Sequence, residues 1–96
     1  MIVVRDIFQL KFGMAKDALA LMKPNVERMN SNGAGKYRLL TDLVGDHYTL
    51  VLESEYESIE HWKKTLDEMR DSEWKESYPK FCECVMHGRR NIWNVV

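Results

Sequence analysis

The chain has 96 residues, 45% hydrophobic and 30% charged, the balance of a globular protein rather than a disordered or fibrous one. Its 14 Lys and Arg against 15 Asp and Glu leave a formal charge of -1, so there is no basic excess to neutralise a phosphate backbone, and nucleic acid is not an expected partner. No apolar run approaches the roughly 20 residues that span a bilayer, and Met1 to Leu10 carries Arg5 and Asp6 where a signal peptide needs an apolar core. The expectation is one cytoplasmic domain over residues 1–96 with no membrane partner.

Ile2 to Phe12 alternates, with Ile2, Val4, Phe8, Leu10 and Phe12 on one face and Val3, Arg5, Ile7, Gln9 and Lys11 on the other, which predicts a strand. Asp6 alone interrupts the apolar face. A carboxylate placed there must find a hydrogen-bond partner or border a cavity. After Gly13 the period changes to that of an amphipathic helix, carried by Ala15, Ala18, Leu19, Met22, Val26 and Met29 and ending by Asn32-Gly33. Pro24 predicts a kink or a split in it, and a bent helix leaves room beneath itself, beside Asp6.

Lys36 to Val44 and His47 to Tyr56 are rich in strand formers, and Gly45-Asp46 between them signals a tight hairpin turn. Ser58 caps a helix whose stripe is Ile59, Trp62, Leu66 and Met69. Asp71-Ser72 interrupts and restarts it, and Trp74, Tyr78, Phe81 and Cys82 continue the apolar face past Pro79. Val85 to Val96, strand-like from Asn91, closes one edge of a sheet. The predicted fold class is α+β, a ferredoxin-like βαββαβ unit whose four-stranded antiparallel sheet carries its helices on one face. The other face then bears Val3, Ile7 and Val51, and two copies packed sheet to sheet would bury them, so a homodimer is expected.

The residues also resemble a known group. Asp6-Ile7-Phe8-Gln9-Leu10-Lys11-Phe12-Gly13, the arm Leu52-Glu53-Ser54-Glu55-Tyr56-Glu57-Ser58-Ile59-Glu60-His61-Trp62, and Asp71-Ser72-Glu73-Trp74-Lys75 together resemble a NIPSNAP-like domain of the dimeric α+β barrel superfamily. Ser72 stands where that family often has proline. The resemblance implies a dimeric α+β barrel. Its relatives include cofactor-independent quinol monooxygenases, haem-degrading monooxygenases and small isomerases, so fold alone does not select a chemistry. Against the haem-degrading pattern this chain matches at Trp62 but has Asp6 at the strand-one asparagine and Tyr78 at the iron-ligating histidine.

The candidate catalytic residues are Asp6 as a general base, with Tyr78 or His61 as hydrogen-bond donor to a developing oxyanion. Phe8, Tyr48, Trp62 and Trp74 are the candidate ligand pocket. Helical spacing equally suits Trp62, Trp74 and Tyr78 to a plain core stripe, and His61, about 100° around the helix from Trp62, to solvent. Cys82, Cys84 and His87 match no common zinc spacing, and the two cysteines are expected as reduced, buried thiols at a helix end, with no metal. Gly33-Ala34-Gly35-Lys36 lacks the strand before it and the helix after it that a phosphate loop needs. Arg89-Arg90 could bind an anion, but a surface pair is the plainer reading. The leading expectation is a homodimeric protein that binds an unidentified small molecule, aromatic or quinone-like, with a possible monooxygenase or isomerase activity and no cofactor. The competing expectations are a non-catalytic interaction module and a haem-binding protein.

Overall fold

A computed structural model describes residues 1–33 and 35–96; Ala34, inside the Gly33 to Lys36 segment, lies outside the described residues. The elements follow in the order β1 (Ile2–Leu10), α1 (Ala15–Ser31), β2 (Lys36–Thr41), β3 (Thr49–Tyr56), α2 (Ile59–Met69), α3 (Ser72–Glu83) and β4 (Val85–Asn94). The four strands form one antiparallel sheet in the order β2-β3-β1-β4. This is the ferredoxin-like arrangement expected from the alternation of strand and helix periods.

The core lies between the sheet and the helices. Ile2, Val4 and Leu10 of β1 and Leu50 and Leu52 of β3 meet Ala18, Met22, Val26 and Met29 of α1, with Trp74 and Phe81 of α3 beside them. Phe12, expected on the same apolar face, lies beyond the end of β1 and is 88% exposed.

Pro24 does not split α1, which runs unbroken over 17 residues. Pro24 and Ala20 both face solvent, so the Ala20 carbonyl that loses its helical donor can bond water instead. The neighbouring buried Asn25 ties α1 to α3, its Nδ2 donating to Ser77 Oγ at 2.8 Å. Three residues on, Arg28 donates to both carboxylate oxygens of Asp71 at 3.1 Å. Asp71 Oδ1 also accepts the Trp74 N–H at 2.8 Å, capping α3 and fixing the break between α2 and α3.

The hairpin arms are shorter than their composition suggested. The strands stop at Thr41 and restart at Thr49. Asp42 Oδ1 accepts the Thr49 N–H at 3.0 Å and Thr49 Oγ1 donates to the Asp46 carbonyl at 2.9 Å, so side chains close a longer loop in place of a tight turn. Leu43 and Val44 consequently stand in solvent.

On the helix-free face, strand register forms rows across the sheet. Leu40, Val51 and Ile7 make an apolar row. Arg38, Glu53 and Arg5 make the next, with Glu53 buried between two guanidinium groups, accepting from Arg5 Nε at 2.8 Å and from Arg38 Nε. The two cations hold the Glu53 carboxyl below the usual carboxylate range.

Candidate functional site

A cavity of about 750 Å³ opens between the sheet and the α2–α3 pair. Its floor is Asp6 and Phe8 of β1, Leu52 of β3 and Gly88 of β4, and its roof is Leu66 and Met69 of α2 with Trp74, Tyr78 and Phe81 of α3. Gly88 helps to keep it open: a Cβ there would lie 3.2 Å from Phe8 Cδ1. The size and the apolar lining with a few polar groups suit a small organic molecule.

The aromatic walls are ordered against one another. Tyr78 stacks on Trp74 with centroids 5.0 Å apart and planes 17° from parallel. Phe8 meets Phe81 edge to face, also at 5.0 Å. Burial, then the adjacent Cys82 thiol and the Asp6 carboxylate, push the Tyr78 hydroxyl above its ordinary value, so it stays protonated and can donate.

Asp6 lies on the cavity floor, as the break in the β1 pattern suggested, but it is not unpaired. It sits opposite Arg90 in the β1–β4 register and accepts the Arg90 Nε–H at 2.5 Å. The Arg90 guanidinium in turn lies 5.1 Å from the centre of the Trp62 ring, a cation–π contact. Strand alternation turns the Arg89 and Arg90 side chains to opposite sides of the sheet, so although both residues border the cavity, the guanidinium that Asp6 holds there is that of Arg90.

No protein-family model matches the sequence, and no curated protein matches it. Solved structures do match it over the whole chain. An uncharacterised NIPSNAP domain protein from Burkholderia xenovorans superposes with a TM-score of 0.85 at 14% identity, covering 100% of this chain and 95% of that one. A NIPSNAP family protein from Agrobacterium tumefaciens gives 0.86 at 14% identity, covering 99% and 92%. The chain has the NIPSNAP-type α+β fold. An antibiotic biosynthesis monooxygenase shares it at a TM-score of 0.80 and 18% identity, covering 100% of this chain and 99% of that one. Identities this low speak for the fold and leave the chemistry to the site itself.

Within this NIPSNAP-type fold, Asp6, Phe8, Trp74 and Tyr78 come together in one cavity. Its position differs from the expectation: it lies beneath α2 and α3, whereas α1 packs down on the sheet. The expected α2 stripe accordingly stays half open. Leu66 and Met69 border the cavity, Ile59 is exposed, and the buried residue of α2 is Thr65, whose hydroxyl donates to the His61 carbonyl.

His61 and Tyr48 do not reach this cavity. The His61 ring packs edge-on against Tyr56 at 5.7 Å, and its Nδ1 accepts the Glu57 N–H at 3.4 Å. Tyr48 leaves the strand alternation because its backbone is left-handed, φ +59, with its carbonyl accepting the Leu10 N–H at 2.8 Å. Its ring therefore packs at a tilt against Phe12, centroids 4.8 Å apart, and borders a smaller cavity of about 340 Å³ beside Leu10 and Leu19. Trp62 takes part only through Arg90. Among the described residues no three His, Cys, Asp or Glu side chains cluster to hold a metal. The sequence reading missed Arg90, Phe81 and Gly88 as cavity residues, because their roles depend on which residue of β1 each faces.

Proposed function

We propose that this protein binds a flat aromatic small molecule in the cavity between the sheet and the α2–α3 pair. The observation that carries the reading is the cavity itself, about 750 Å³, with the stacked Trp74 and Tyr78 rings on one wall and the Phe8 and Phe81 rings on another. A well-packed interior would have favoured the interaction-module reading instead. Asp6 is the only carboxylate among the lining residues and is engaged by Arg90, so no unpaired base supports turnover, and the proposal is binding. The haem reading has less support, since iron ligation calls for the Tyr78 phenolate and the site favours the neutral hydroxyl.

Titration with N-phenyl-1-naphthylamine, a neutral two-ring fluorescent probe, tests this reading. Saturable binding of one probe per chain is expected, weakened several-fold in Leu66→Trp, which puts an indole into space the probe would occupy. Absence of saturable binding to the folded protein would overturn it.

We further propose that two chains pair through the open sheet face. The apolar row of Leu40, Val51 and Ile7 and the half-exposed Trp93 supply area to bury, and the paired Arg5, Arg38 and Glu53 lower the cost of covering charge. Sedimentation equilibrium should show a dimer that Val51→Lys converts to a folded monomer; a wild-type monomer at micromolar concentration overturns the pairing.

A further inference from the structure

The wall groups of the cavity differ in what they still have to offer a ligand. Arg90 is held from two sides, by Asp6 at its Nε and by the face of Trp62 at 5.1 Å, yet its terminal N–H groups meet no protein acceptor among the described residues. A guanidinium fixed in this way loses little freedom on binding, and its free edge matches the two oxygens of a carboxylate or sulfonate. Asp6 neutralises one positive charge. Arg70 and Lys75 also border the cavity, make no salt bridge among the described residues, and face no other lining carboxylate. The cavity is thus apolar and aromatic inside, cationic at its edge, and provided with a protonated Tyr78 hydroxyl that donates and does not repel an anion.

We infer that the ligand is an aromatic anion, whose ring lies among Phe8, Trp74, Tyr78 and Phe81 and whose carboxylate or comparable acidic group is held by the free edge of the Arg90 guanidinium. This rests on the binding reading above and names the class of compound that site selects.

The test compares 1-anilinonaphthalene-8-sulfonate with N-phenyl-1-naphthylamine, the same ring system without the sulfonate. The anionic probe is expected to bind at least about tenfold more tightly at low salt, as a charge-assisted contact provides, and the two should displace each other. Arg90→Gln, which keeps an N–H donor for Asp6, should remove most of that advantage by weakening the anionic probe far more than the neutral one, with the thermal transition showing that the variant is folded. Lys75→Gln, at an exposed position, should reduce the advantage by a smaller factor without touching the Asp6 pair. Equal affinities for the two probes, or an anionic preference that survives Arg90→Gln, would overturn the anion inference while leaving the binding reading intact. Failure of both probes to bind overturns the two together.

Discussion

The Asp6 carboxylate and the Arg90 guanidinium face each other across the β1–β4 register and join at 2.5 Å, 84 residues apart in the chain. That contact turns a carboxylate that would be an available base into an anchor for a cation at a cavity mouth. It also places a charge on a strand face otherwise committed to the core, without leaving that charge unpaired.

Asp6→Asn should lower stability by about 0.5–1 kcal/mol, the range for a partly exposed ion pair, in urea unfolding at neutral pH with an unchanged m-value. A loss of several kcal/mol would show that Asp6 carries structure beyond the pair.

Asp71 both caps α3 and accepts from Arg28, and these contacts hold its carboxyl below the ordinary 3.8. Asp71→Ala should cost about 1–2 kcal/mol and Asp71→Asn less, because asparagine keeps the cap. A depressed folded pKa means the stabilisation is present above the unfolded value and fades as pH falls through the folded one. The gap between wild type and Asp71→Ala should therefore shrink as unfolding is repeated at pH values below about 4; a gap unchanged there assigns the effect to shape alone.

Tyr37 is buried, and its hydroxyl lies 2.9 Å from that of Tyr56. Burial foremost, then that hydrogen bond, raise its pKa well above the ordinary 10.0. A raised folded value leaves the stabilisation complete below the unfolded pKa and removes it as pH rises beyond, so stability should fall above about pH 10. Of the chain's 4 tyrosines, Tyr37 should yield its tyrosinate absorbance only together with the loss of near-ultraviolet dichroism. Full absorbance amplitude from a still-folded protein contradicts this.

Cys82 is exposed and borders the cavity, whereas Cys84 is buried, with its thiol pushed up chiefly by that burial. An aromatic disulfide reagent should modify one thiol quickly and the second only on unfolding, and saturating N-phenyl-1-naphthylamine should slow the fast reaction several-fold. A fast rate indifferent to the probe would place the probe elsewhere.

The element order, the amphipathic faces of β1 and α1, and the restart at Asp71 were legible in the sequence because they follow from local periodicity and capping, which act over a few residues. The same locality explains the misjudged details. Composition cannot show that side chains of Asp42 and Thr49 close a longer loop, or that Ala20 and Pro24 face water and let α1 continue. Asp6 was visible as an intrusion on an apolar face, but its partner was not, since Arg90 is brought opposite by strand register and by the alternation that separates it from Arg89. Tyr48 and His61 had the right chemistry and were carried away from the cavity by a left-handed backbone turn and by a helix face. What the sequence determined by itself was the set of elements and their buried faces. Where the cavity opened, and which charges met at its mouth, only the tertiary structure decided, because those depend on contacts between residues that the chain holds far apart.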